Sequence, residues 1–135
     1  MARGPIDYEK LQREGVPFAS LPAGEKVFLQ DDAGGTMYLV RSGLIDILMF
    51  GRVLETVGAD GIFGEMSLID DDPRSASAVC SKPSSLLALS HGDFHHLINK
   101  HPDLGKTLPL NLSRTISRRL RTTGRYLEWL LHPGQ

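Results

Sequence analysis

The chain has a single cysteine, Cys80, so no intramolecular disulfide can hold it together, and a reducing compartment, the cytosol, is the expected location. Cys80 falls between Val79 and Ser81 in a strand-like stretch, where its expected role is small packing residue rather than sensor thiol. One cysteine and five scattered histidines supply no ligand set for a structural zinc or an iron–sulfur cluster. His91, His95 and His96 lie close in sequence, but adjacent residues on a helix face different directions, so no metal site is expected there. No apolar run approaches the roughly eighteen residues that cross a bilayer. Met1–Pro5 carries one Arg with no apolar stretch behind it, unlike a secretory signal. No Walker sequence, nucleophile elbow or other catalytic set emerges. These absences leave no expected membrane-spanning helix and no expected zinc or iron–sulfur site, and they give no reason to expect an enzyme or a cofactor.

What is present fits one compact domain. At 135 residues the chain can bury its own core without crosslinks. The net charge of −1 hides an asymmetry. Residues 1–104 hold nine Lys/Arg and fifteen Asp/Glu, giving −6, and residues 105–135 hold six and one (Glu128), giving +5. Residues 6–15 read as a short helix ended by Gly15 and Pro17. Leu21–Glu25 and Asp31–Gly35 read as turns around a strand at Val27–Leu29. From Met37 to Phe50 the pattern is strand-like, with Val40, Ile45, Ile47 and Met49 on one side and Gly43 marking a hairpin turn or bulge. Short strands follow at Val53–Val57, Ser77–Ser81 and Leu86–Ser90. Many short strands punctuated by Gly and Pro point to a sandwich or roll.

Residues 63–79 carry the most chemistry, in the run Phe-Gly-Glu-Met-Ser-Leu-Ile-Asp-Asp-Asp-Pro-Arg-Ser-Ala-Ser-Ala-Val. Gly64 permits close backbone approach, and Glu65 adds a carboxylate. One helical turn after it would present amides without partners. Arg74 brings a planar fork suited to phosphate oxygens, and Ser75 a hydroxyl donor. A phosphate with a ribose hydroxyl and a base would satisfy these groups together. The competing reading is an ordinary surface turn with Arg74 paired to Asp70–Asp71–Asp72. The intact run resembles the phosphate-binding cassette of the cyclic nucleotide-binding domain family, whose core is matched by Phe63–Leu68 and Pro73–Ala76. The spacing from Glu65 to Arg74 is like that of kinase and channel members, and the resemblance extends weakly over about Leu21 to Leu131.

The resemblance implies a jelly-roll-type β-roll over about 21–90, with a short N-terminal helix before it and C-terminal helices over about 91–131. It implies that Glu65 takes the ribose 2′-hydroxyl, that Arg74 and Ser75 take the cyclic phosphate, and that the amides of Met66 and Ser67 complete that site. Phe63, Gly64, Ala76 and Leu54, the last in the strand ahead of the cassette, fill out the expected ligand-contacting set. Truncating Arg74 to Ala is expected nearly to abolish binding and leave the fold intact.

The last third changes period. His91-Gly92-Asp93 can start a helix covering Phe94, Leu97 and Ile98 and stopping before Pro102. A longer helix is expected over roughly 107–131, where Leu112, Ile116, Leu120, Thr123, Leu127 and Leu130 share one face. Thr123 interrupts that stripe. By resemblance to catabolite-activator-type domains it lies against the base, although Gly124 replaces the usual Ser; bonding to the carbonyl one turn earlier is the alternative. Arg114, Arg118, Arg119, Arg121 and Arg125 are expected to solubilise the outer faces, with Arg121 or Arg125 a candidate to face the nucleotide. Tyr126 and Trp129 are expected in the core, and either could instead lid the base or meet a second subunit.

The expectation is a stand-alone cyclic nucleotide-binding domain, because the chain stops at Gln135 where catabolite-activator-type regulators continue into a helix-turn-helix. By the resemblance, Ser75 rather than Thr after Arg74 implies cAMP in preference to cGMP, and the domain would signal to an effector protein through its C-terminal helices. No membrane partner and no specific nucleic acid are expected, and the state is monomer or weak homodimer. A ligand-free interaction domain of the same fold is one alternative, and a nucleic-acid module using the basic helix another.

Overall fold

The carboxylate of Asp7 accepts the amide of Lys10 at 3.0 Å, satisfying one of the donors that a helix start leaves without a partner. Helix α1 follows, Tyr8–Arg13, in the computed structural model, which describes residues 6–64, 73–102 and 104. Eight strands come next: β1 Ala19–Leu21, β2 Lys26–Phe28, β3 Thr36–Ser42, β4 Ile45–Met49, β5 Arg52–Val57, β6 Ile62–Phe63, β7 Ser77–Cys80 and β8 Ser84–Ser90. Helix α2, His91–Lys100, completes the described elements. The strands form two antiparallel four-stranded sheets, in the orders β1-β8-β3-β6 and β2-β7-β4-β5. Strands distant in sequence are therefore neighbours in both sheets, as in a jelly roll.

Side-chain alternation along β3 explains the layers. Successive residues of a strand point to opposite faces, so Met37 and Leu39 enter one core cluster while Tyr38 and Val40 enter the other. The first cluster lies beneath the helices, joining Met37, Leu39, Ile62, Leu87 and Leu89 to Leu11 of α1, Phe94 and Leu97 of α2, and Leu104. The second fills the roll between the sheets with Val40, Ile45, Ile47, Val57, Phe63, Ala78, Cys80 and Leu86. Cys80 is buried there as a packing residue, and that burial pushes its thiol pKa up.

Between β3 and β4, Gly43 has φ +101°, and a Cβ on it would lie 2.1 Å from Ser84 Oγ and 2.6 Å from the Pro83 carbonyl oxygen. Only glycine fits that turn. Ser90 and Asp93 close a capping box at α2: Ser90 Oγ accepts the Asp93 amide at 3.1 Å, and Asp93 accepts the Ser90 amide at 3.2 Å. At the other end buried His101 places Nδ1 3.0 Å from Glu14 Oε1, tying α2 to the end of α1.

Two strands depart from the sequence expectation. β1 pairs with the start of β8, Leu21 against Ser84, where the sequence predicts only a turn over Leu21–Glu25. β6 pairs Ile62 and the cassette's first residue, Phe63, with the edge of β3. Both are two or three residues long, too short to show a period. The helix expected over 107–131, its Leu112–Leu130 stripe with Thr123, the arginines from Arg114 to Arg125, Tyr126 and Trp129 lie outside the described residues. No helix among the described residues is long and apolar enough to cross a membrane.

Candidate functional site

Arg74 is a buried cation, 6% exposed, and three parts of the roll hold it. Its backbone is clamped to the β2–β3 loop: its amide donates to the Asp32 carbonyl at 2.8 Å, and its carbonyl accepts from the Asp31 amide at 2.8 Å. That loop is itself ordered, with Asp32 accepting the Leu29 amide at 2.9 Å and Ser77 Oγ accepting the Gln30 amide at 2.9 Å. The guanidinium then donates from Nη1 to the Gly64 carbonyl at 2.9 Å and from Nη2 to the Thr36 carbonyl at 2.5 Å. Its carbon lies over the Phe28 ring, 4.0 Å from the centroid, and 5.9 Å from that of Tyr38. Cation–π contact of this kind helps hold a partly desolvated charge.

An aromatic platform supports the fork. Tyr38 and Phe63 stack with centroids 5.1 Å apart and planes 15° apart, and Phe28 lies 5.9 Å from Tyr38 and 6.0 Å from Phe63. The Phe63 ring is fully buried in the inner cluster, so its side chain belongs to the platform.

Gly64 has φ +76°, and a Cβ there would lie 2.8 Å from Arg74 Nη1, 3.2 Å from the Thr36 oxygen and 3.4 Å from Phe28 Cε2. Its lack of a side chain therefore admits the arginine, a role additional to the ligand approach expected from sequence. Thr36, Phe28 and Tyr38 are members of this constellation that sequence reasoning missed. Carbonyl acceptance by Thr36 has no residue-type signal at all, and the alternation along β3 marks Tyr38 only as inward.

The remaining expected residues divide in two. Ser75 is exposed beside Arg74, Ala76 is half-buried against the inner cluster, and Leu54 is half-buried on β5. Glu65, Met66, Ser67 and Thr123 lie outside the described residues, as do Asp70–Asp71–Asp72 of the competing surface-pair reading. The two carbonyls held by Arg74 change one expectation. Truncation to Ala would remove this donor from both half-buried carbonyls, at up to about 1–3 kcal/mol each, so fold and binding would suffer together. Among the described residues, no group of three or more His, Cys, Asp and Glu could hold a metal ion.

The roll thus sets a buried arginine against a glycine of left-handed conformation. The model of the cyclic nucleotide-binding domain matches residues 18–101. The chain belongs to the cyclic nucleotide-binding domain family. This cyclic nucleotide-binding domain is 38% identical over 114 residues to the cyclic AMP receptor protein of Thermus thermophilus, a match covering 81% of this chain and 51% of that protein. It is 33% identical over 88 residues to a cyclic nucleotide-gated potassium channel of Rhizobium etli, covering 65% of this chain and 24% of the channel. The crystal structure of the Thermus thermophilus catabolite activator protein superposes with a TM-score of 0.67 at 35% identity, covering 90% of this domain and 58% of that chain. The domain thus spans about half the length of the first relative and a quarter of the second.

Proposed function

We propose that the chain binds a cyclic nucleotide, cAMP in preference to cGMP, and passes the signal to an effector by rearranging its C-terminal helices. The observation that carries this reading is the Arg74 fork, buried, stacked on Phe28 and fixed by the Gly64 and Thr36 carbonyls. A guanidinium held this way costs little to organise when an anion arrives, and charge-assisted contacts to phosphate are about twice as strong as neutral ones. In the proposed complex Arg74 and Ser75 take the cyclic phosphate and the amides of Met66 and Ser67 complete its shell. Glu65 accepts the ribose 2′-hydroxyl, Leu54 and Ala76 flank the ligand, and Thr123 meets the base. Gly64 and Phe63 act by shaping the Arg74 position. The similarity to a cyclic AMP receptor protein supports cAMP, as does Ser75.

Signal relay follows from linkage: a ligand shifts a conformational equilibrium only by its differential affinity for the two states. Phosphate contact in the cassette is coupled to a shift of the C-terminal helices, the terminal one closing over the base, which changes the surface offered to a partner protein. The domain acts as a binding module, not an enzyme, in the cytoplasm, as a monomer or weak homodimer. Thermal unfolding with added nucleotide tests this. A ligand of the native state raises Tm by mass action, with about 2.7 kcal/mol of added stability at a hundredfold excess over Kd. A Tm rise with cAMP, a smaller one with cGMP and none with inorganic phosphate is expected. No rise with either nucleotide would assign the fold to a ligand-free interaction domain.

A further inference from the structure

We infer that Tyr8 and Asp60 are positioning residues, a clamp through which the N-terminal helix sets the geometry of Gly64 and thereby nucleotide affinity. The inference rests on the reading of Arg74 and Gly64 as the phosphate-binding pair. Tyr8, the first residue of α1, places its hydroxyl 2.5 Å from Asp60 Oδ1 and 3.3 Å from the Val40 carbonyl. Its ring packs edge-on against Phe18 at 5.9 Å and against the helix-side core. Burial, then the bond to Asp60, raises the Tyr8 pKa far above its ordinary value, so the hydroxyl remains a donor throughout the working pH range.

Asp60 holds the tight turn between β5 and β6 with φ +68°, a conformation that Asp tolerates better than most residues. The Asp60 amide donates to the Val40 carbonyl at 2.8 Å, the Val40 amide to the Gly61 carbonyl at 2.9 Å, and the Gly61 amide to the Gly58 carbonyl at 3.0 Å. The Tyr8 hydroxyl meets this turn where Val40 already grips it. Directly after the turn come Ile62 and Phe63, in register with Leu39 and Tyr38. Gly64 follows, and its carbonyl holds Arg74 Nη1. Because β6 has only two residues, little sheet pairing insulates Gly64 from a shift of the turn. A chain of contacts alone does not establish coupling, so the test measures coupling directly.

Tyr8→Phe keeps the ring on Phe18 and removes the hydroxyl. Asp60→Ala removes the acceptor, and Asp60→Asn keeps both an acceptor oxygen and tolerance of positive φ. Loss of one such hydrogen bond translates to about threefold to tenfold in equilibrium. The expected result is cAMP affinity weakened by that factor in Tyr8→Phe and Asp60→Ala, no further loss in the double variant, and affinity within about twofold of wild type in Asp60→Asn, from the same energies. In the nucleotide-free protein, amide hydrogen exchange at residues 61–64 is expected to rise in Tyr8→Phe and not in Asp60→Asn. If wild type fails to bind cAMP, the functional reading fails and the exchange measurement still decides the clamp. Faster exchange confined to residues 8–13, or unchanged exchange throughout, would overturn it, as would unaltered cAMP affinity in Tyr8→Phe.

Discussion

Replacing Gly64 by Ala separates backbone strain from displacement of the arginine. The left-handed conformation at φ +76° costs an L-residue about 1–2 kcal/mol. The reduced freedom of the unfolded chain offsets about 0.4–1 kcal/mol of that. Gly24 has φ +88° with nothing within 4 Å of its would-be Cβ, so Gly24→Ala reports the backbone part alone. At Gly64 the same Cβ falls 2.8 Å from Arg74 Nη1 and 3.2 Å from the Thr36 oxygen. The fork must move, loosening a charge-assisted bond of about 1.5–3 kcal/mol. The expected outcome is a stability loss of about 1–3 kcal/mol for Gly64→Ala, a fall in Tm of roughly 3–12 °C for a domain of this size. Calorimetry should also show cAMP affinity lowered at least about tenfold, which is about 1.4 kcal/mol. Gly24→Ala should cost about 0–1.6 kcal/mol and leave affinity unchanged. If Gly64→Ala matched Gly24→Ala in Tm and wild type in affinity, the assignment of Gly64 to the arginine site would be wrong.

Arg74→Lys should fold better than Arg74→Ala yet still lose nucleotide, by about 30-fold or more, because an ammonium cannot bridge the Gly64 and Thr36 carbonyls as the planar fork does; titration of both variants beside their melting curves checks this. Thr123→Val keeps size and removes the hydroxyl, so the ratio of cAMP to cGMP affinity should shift about threefold to tenfold; equal weakening of both nucleotides would remove Thr123 from base recognition. The Asp93 carboxyl is held below its ordinary range, first by the Ser90 amide and then by the Ser90 hydroxyl. Its contribution to α2 is therefore fully present above the unfolded value of about 3.9 and is lost as pH falls through the lower folded value. The Tm difference between wild type and Asp93→Ala should accordingly stay constant from neutral pH to about pH 5 and shrink below about pH 4; a difference that grew on acidification would contradict the capping assignment.

The roll was legible wherever residues repeat or punctuate. Gly43 marked a turn, and the apolar positions from Met37 to Met49 marked strands, because φ preference and alternation are local properties. β1 and β6 were not legible, since a three-residue and a two-residue strand are defined by partners on β8 and β3. The site divides similarly. Arg74 and Gly64 stood out by residue type, but their mutual contact, and the carbonyl of Thr36 that completes it, depend on strand order. Phe63 was legible as part of the cassette and illegible as core, because an aromatic beside a glycine reads the same in either role. The Tyr8–Asp60 bond joins residues 52 positions apart, and no short-range pattern announces it.

The central claim is that the Arg74 cradle selects a cyclic phosphate. Isothermal titration of the purified chain with cAMP, cGMP and linear 5′-AMP, in parallel with Arg74→Lys, tests it most directly. The account predicts saturable binding of cAMP, weaker binding of cGMP, at least about a tenfold deficit for 5′-AMP, equivalent to about 1.4 kcal/mol, and loss of all three signals in Arg74→Lys. No heat with either cyclic nucleotide, or cAMP binding unchanged in a folded Arg74→Lys protein, would contradict it.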